Sequence, residues 1–168
     1  MNDMIFIGSS IFEGWSQPRL PSFEIYNFAV GGTTTGYWLE NIKSNIKPGV
    51  HNYAFYCGSN DLNAVILPDK IIENTNKIFN LIKTTNSRIQ IAYFSIMKAP
   101  QKSDKFEIID YINSNIKSKI RGNDIFIDLN SIIDTNPKWY QDDELHLNEL
   151  TYTEIENKFG AVLSQWAA

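Results

Sequence analysis

The chain has 168 residues, of which 43% are hydrophobic and 20% charged, and its formal net charge is −4. That is the composition of one globular domain with enough apolar residues for a sizeable core, and it excludes a disordered, fibrous or collagen-like chain. With 15 basic against 19 acidic residues and no basic run, the chain offers no electrostatic footprint for nucleic acid or an anionic membrane surface.

No apolar stretch approaches the roughly 20 residues that span a bilayer. The N-terminus, "MNDMIFIGSS", carries an acidic residue where a secretion leader carries a basic one. Cys57 is the single cysteine, so no internal disulfide can form. Together these features lead us to expect a soluble, cytoplasmic protein. No repeat, low-complexity tract or linker divides the chain, and residues 1–168 read as a single domain.

Taken in order, the first apolar run is "MIFIG" at 4–8, a strand by its length and its aromatic and β-branched content. It ends in Gly8-Ser9-Ser10, a turn that would lift a serine hydroxyl above the sheet edge at the start of a short helix. Ser9 or Ser10 capping that helix is the structural alternative. A second strand, "FEIYNFAV" at 23–30, runs into "GGTTTG", where Gly31 and Gly32 permit a backbone that points N–H groups into a pocket. Trp38, Ile42 and Ile46 then repeat at helical spacing. The third strand, "YAFYCG" at 53–58, leads into a turn presenting Asn60 and Asp61, which alternatively form an Asx turn or cap. His51 stands at the head of that strand and reads as structural.

Ile71, Ile78 and Ile82 mark a second long helix, and "IQIAYFSI" at 89–96 a fourth strand. Ile108, Ile112, Ile116 and Ile120 give a further helical stripe, "DIFIDL" at 124–129 a fifth strand, and Ile155, Phe159, Val162 and Trp166 a last helix. This β-α alternation implies an α/β fold with parallel strands and helices on both faces of the sheet. Ligands of such sheets sit at the carboxyl ends of the strands. Before the last helix, "DDELHLNE" at 142–149 places His146 three residues after Asp143. A carboxylate accepting the Nδ1 proton fixes the imidazole tautomer and stabilises the imidazolium, so the pair suits general-base work. The alternatives are acids that cap the final helix, or a metal site, which would need more ligands than this cluster offers.

The blocks "FIGSSIFEGW", "NFAVGG", "GSNDLN" and "DELHLN" stand in the order, and on the elements, of the four blocks of the SGNH hydrolases, also called GDSL esterases and lipases. The chain resembles that family over residues 4–149. The resemblance implies a flavodoxin-like three-layer α/β/α fold with a five-stranded parallel sheet. It also implies a carboxylic ester hydrolase with Ser10 as nucleophile and Asp143 and His146 as its triad partners. The oxyanion donors would be Gly32, Asn60 and the Ser10 N–H, and no cofactor or metal would be needed. One departure is Gly8-Ser9-Ser10 where the family usually has Gly-Asp-Ser; another is Phe12 where a threonine is frequent. Ser9 can replace some hydrogen bonds of the aspartate but not its charge.

The chain length leaves no insertion for an apolar lid or tunnel, so the expected partner is a small ester of a short acyl group, acetyl above all, on a polar alcohol or carbohydrate. Trp15, Trp139 and Tyr140 are the aromatic residues expected to stack on it. An O-acyltransferase with the same triad, a catalytically inactive binding module and a flavin or nucleotide binder are the other readings the residues allow.

Overall fold

The computed structural model describes all of residues 1–168. Five strands form one parallel sheet: β1 (Asn2–Gly8), β2 (Phe23–Asn27), β3 (Asn52–Tyr56), β4 (Gln90–Phe94) and β5 (Ile125–Ile127), in the spatial order β2-β1-β3-β4-β5. That is the flavodoxin-like order, and it reverses direction between β1 and β3, where a crevice opens at their carboxyl ends. There the last pair in register is Gly8 with Tyr56.

Side chains alternate across the sheet and divide the core in two. Met4 and Phe6 of β1 face one layer, with Ala54, Tyr56, Ala92 and Phe94 beside them, covered by α1 (Ser10–Glu13) and α6 (Glu149–Trp166) through Phe12, Tyr152, Ile155 and Leu163. Ile5 and Ile7 face the other layer with Phe55 and Tyr93. That side is covered by α2 (Thr35–Asn41), α4 (Pro68–Thr84) and α5 (Phe106–Lys119), through Trp38, Ile71, Ile78 and Ile112 among others. The short α3 (Ser59–Asn63) follows β3 directly. Local chemistry sets the helix ends. Asn148 caps α6 by accepting the Thr151 N–H at 3.1 Å, and Pro68 occupies the first turn of α4, where its missing N–H is harmless.

The strands agree with the apolar runs but end earlier than expected on the carboxyl side: Phe28–Val30, Cys57–Gly58 and Ser95–Ile96 already belong to the loops. Two helical stripes also differ from expectation. In α5 the buried residues are Ile109, Ile112, Asn113 and Ile116, while Ile108 is exposed. An i+4 repeat drifts about 40° per step around a 3.6-residue helix, so four such residues cannot stay on one face. In α6 Leu163 is buried and Val162 exposed, and Ile46 lies beyond a 3₁₀ turn (Ile42–Asn45) that ends the helix it was expected to extend. No helix is long and apolar enough to cross a membrane.

Candidate active site

Gly8 ends β1 with φ at 154°, and a Cβ built there would lie 2.0 Å from the Tyr56 carbonyl oxygen, a backbone atom with no room to retreat. Only glycine fits. The same carbonyl accepts the Ser9 N–H at 3.0 Å, which turns the chain off the strand so that Ser10 opens α1. Ser9 holds the N-cap position, but its side chain makes no cap hydrogen bond. Ser10 is half-buried, and its hydroxyl has no hydrogen-bond partner in the protein.

The loop after β2 folds back over this turn. Gly8 O accepts the Val30 N–H at 2.9 Å and the Thr33 hydroxyl at 3.2 Å. Glu13 of α1 accepts the Gly31 N–H at 2.8 Å. Between these anchors Gly32 adopts φ of 77°, and its N–H, like that of Ser10, has no acceptor in the protein. The loop after β3 closes the arrangement from the other side: Asn60 Nδ2 donates to Thr33 O at 3.0 Å, which leaves its second amide hydrogen free. Asp61, 1% exposed, accepts the Thr35 N–H at 3.0 and 3.1 Å and the Thr35 hydroxyl. Burial pushes the Asp61 carboxyl above its ordinary range, and the Thr35 bonds pull against that. Thr33 and Asp61 therefore fix the two loops to each other, while Ser10, Gly32 and Asn60 keep donors in reserve.

His146 and Asp143 lie in the turn that precedes α6. Asp143 Oδ1 accepts the N–H groups of Leu145 at 3.0 Å and of His146 at 2.9 Å, while Oδ2 is hydrogen-bonded to His146 Nδ1. A carboxylate only accepts, so Nδ1 carries a proton, and in the neutral imidazole Nε2 is then the nitrogen that presents a lone pair. The His146 bond, with the two backbone N–H groups, lowers the Asp143 carboxyl to about 2. The turn is braced by a bridge between Tyr140 and Leu147 and by the Gln141 N–H to His146 O bond at 2.8 Å, with Glu144 in the left-handed region at φ of 61°. Leu147 is buried in the core layer that holds Phe12, and the Tyr152 hydroxyl donates to Ile11 O at 2.6 Å. These contacts tie the histidine turn to the helix that Ser10 opens. No hydrogen bond joins Ser10 to His146; such bonds commonly form only when substrate is bound.

An unbonded serine hydroxyl and free N–H groups at the carboxyl edge of the sheet, with a carboxylate-oriented imidazole in the turn before α6, are group types suited to nucleophilic acyl transfer. Residues 6–153 match the model of the GDSL-like lipase/acylhydrolase family. The chain belongs to that family. It is also 25% identical over 175 residues to N-acylneuraminate cytidylyltransferase of Escherichia coli, covering 97% of this chain; the chain spans only 41% of the length of that curated relative. Among solved structures it resembles a GDSL-like lipase from Bacteroides thetaiotaomicron, with a TM-score of 0.80 and 18% identity over 98% of this chain and 88% of that one. It likewise resembles a carbohydrate esterase family 3 protein from Talaromyces cellulolyticus, with a TM-score of 0.74 and 17% identity over 98% and 97% of the two chains.

Within this GDSL-family chain the Ser9 departure has a structural answer. The turn is held by backbone bonds of Gly8 and Ser9 and by the Thr33 hydroxyl, and the Ser9 hydroxyl does not take over an aspartate's bonds. Two of the three aromatic expectations need correction. Trp15 is 3% exposed, stacked on Tyr152 with ring centroids 5.6 Å apart, and its Nε1–H donates to Glu156 at 3.0 Å. Tyr140 is 6% exposed, and its hydroxyl donates to Asp134 O at 2.7 Å. Both rings are packed into the core, with too little exposed surface to stack on a sugar, although Trp15 borders the cleft beside the site. Trp139 is half-exposed, with Lys138 Nζ 4.3 Å from its ring centroid and Nε1–H donating to Asp134 at 2.9 Å. A cleft of about 710 Å³ runs beside the site between Gly14 and Glu156, but neither Ser10 nor His146 lines it. The Glu13, Thr33 and Asp61 clamps were not foreseen as site supports, because which loops meet is decided by strand order.

Proposed function

We propose that this chain is a serine esterase that removes short acyl groups, acetyl above all, from a small polar alcohol or carbohydrate through an acyl-enzyme. The observation that carries the reading is the shared network at the β1/β3 crevice. It leaves the Ser10 hydroxyl and the N–H groups of Ser10 and Gly32 unbonded beside the half-free amide of Asn60, while Asp143 fixes the tautomer of His146.

In this reading the Ser10 oxygen attacks the ester carbonyl carbon as its proton passes to His146 Nε2. The carbonyl oxygen becomes an oxyanion held by the N–H groups of Ser10 and Gly32 and by the Asn60 amide. Collapse breaks the bond to the alcohol oxygen, which leaves with the proton from His146. Water then attacks the acyl-enzyme, giving its proton to His146, and the carboxylic acid departs as Ser10 regains the proton. Each step stays on the chain's own residues.

Short acyl groups fit because the strands, the helices and their brief links use nearly all of the chain, with no insertion to roof a long acyl channel. A carbohydrate alcohol fits the half-exposed Trp139 ring, and it accords with relatives named for a carbohydrate esterase and for N-acylneuraminate chemistry. The test is a series of p-nitrophenyl esters from acetyl to octanoyl, followed by acetylated sugars. The acetyl ester should give the highest kcat/KM, and Trp139→Ala should lower kcat/KM on acetylated sugars. Activity climbing steadily toward octanoyl would remove the short-acyl assignment. An unchanged Trp139→Ala would remove the stacking role alone.

A further inference from the structure

Lys102 lies in a 3₁₀ segment, Pro100–Lys105, in the link between β4 and α5 at the carboxyl edge of the sheet. It is 2% exposed, an unusual position for a lysine without a carboxylate partner. Its ammonium group belongs to none of the chain's ion pairs. The neighbouring Asp104 is bonded to Lys105 at 2.8 Å instead, and the only side-chain partner of Lys102 Nζ is the neutral amide oxygen of Asn63.

An ammonium group has three donors, and one is used here. Water lost around a buried charge is a penalty that only an anion or several strong acceptors can offset. Burial accordingly lowers the Lys102 pKa, and Lys105 adds to the effect. The location is specific. Asn63 is the last residue of α3 and lies three positions after Asn60, so the two side chains project from the same side of one helical turn. On its other flank, Gln101 donates its N–H to Glu144 O at 3.2 Å, inside the Asp143–His146 turn. Lys102 thus bridges the segment that supplies the amide donor and the segment that supplies the imidazole.

We propose that Lys102, held by Asn63, binds an anionic group on the alcohol part of the ester, making the preferred substrate an acetylated acidic sugar with a carboxylate or phosphate. This rests on the esterase reading and adds the chemical class of its alcohol. Asn63 is exposed and its bond to Lys102 is only part-buried, so a negatively charged group two or three bonds from the acylated oxygen would approach the ammonium from the Asn63 side and take up its remaining donors as the carbonyl reaches Ser10. The charge-assisted hydrogen bonds would also fix which ester position is presented.

The experiment compares kcat/KM for acetylated glucuronate, acetylated glucose 6-phosphate and acetylated glucose. The three differ chiefly at carbon 6. One or both anionic esters should be preferred over the neutral one by about 10–100-fold, the size expected for hydrogen bonds to a charged group. Which anion leads tells carboxylate from phosphate. In Lys102→Gln the preference ratio should collapse toward unity, and Lys102→Arg should restore part of it. Equal kcat/KM on all three esters in the wild-type enzyme would overturn the proposal, as would a Lys102→Gln variant that keeps the ratio. Cleavage of p-nitrophenyl acetate reports separately on the esterase reading. If no ester is cleaved, calorimetric binding of glucuronate and glucose 6-phosphate to wild type and Lys102→Gln decides the matter. Binding lost with the lysine supports the anion site, and no binding to either protein rejects it.

Discussion

Replacing Asn60 by alanine separates a chemical role from a structural one. Its amide has two hydrogens: one holds Thr33 O at 3.0 Å, and the other is free for an oxyanion. Deleting both should leave the loop in place, since Asp61 still binds Thr35, Glu13 still binds Gly31, and the Cys57 thiol still approaches Thr33 O at 3.7 Å. The lost structural bond is worth about 0.5–1.5 kcal/mol, which for a domain of this size is a Tm lower by about 1–6 °C. The lost oxyanion donor should reduce kcat by roughly 10²–10³-fold with little change in KM, because that charge exists only in the tetrahedral state. Steady-state kinetics on p-nitrophenyl acetate at a temperature well below both Tm values, alongside thermal melts, reads the two effects independently. A kcat within about threefold of wild type together with the expected drop in Tm would make Asn60 a loop tie only. A rise in KM matching the fall in kcat/KM would place it on the ground-state substrate.

Ser10→Ala should abolish turnover and fluorophosphonate labelling, whereas Ser9→Ala should keep the label, because the Ser9 side chain is buried and unbonded. Loss of label in Ser9→Ala alone would reassign the nucleophile. Asp143→Asn should lower kcat by up to about 10⁴-fold by favouring the wrong tautomer of His146, and a near-normal rate would reduce Asp143 to a backbone cap. With its carboxyl lowered from 3.8 to about 2, the Asp143 contacts give stability that is full above 3.8 and lost as pH falls through about 2. The carboxyl carbon resonance should therefore titrate near the lower value, and a midpoint at 3.8 would show that the pairing does not persist in solution. Gly8→Ala drives a Cβ to 2.0 Å from Tyr56 O and should destabilise beyond the ~0.5–3 kcal/mol of ordinary substitutions, as read by urea unfolding. A loss under about 1 kcal/mol would mean that β1 and β3 separate freely at that point.

What the sequence made legible follows from how locally each feature is specified. The central strands β1, β3 and β4 are largely buried on both faces and read as nearly unbroken apolar runs, while the edge strands β2 and β5 were legible from their aromatic and β-branched residues bounded by turn formers. Their carboxyl ends were overrun because residues such as Phe28 and Ile96 stay apolar after leaving the ladder, filling space beneath the loops. Asp143 and His146, three positions apart, announced a pair; the bonds of the Asp143 carboxylate to His146 are made within that short turn. The expectations for Trp15 and Tyr140 failed for a different reason. Nothing in "WYQDDELH" says that Tyr140 turns inward onto Asp134 while Trp139 keeps an edge in solvent. Lys102 left no trace at all, since a lone lysine among polar residues reads as surface, and its bond to Asn63 joins residues 39 positions apart.

The histidine turn and α6 form a C-terminal unit that contributes no strand to the sheet. Besides its apolar packing, side-chain hydrogen bonds such as Tyr152 to Ile11 O, Trp15 to Glu156 and Ser164 to Pro21 O fasten it to the body. In the proposed triad the acid–base pair is assembled from neighbouring residues, whereas the serine, Ser10, comes from the other end of the chain. Partial unfolding that releases this unit would leave the parallel sheet standing and separate His146 from Ser10 without breaking the Asp143 contact. Heat inactivation should then run ahead of the loss of sheet signal, and amide hydrogens of α6 should exchange before those of β1 and β3.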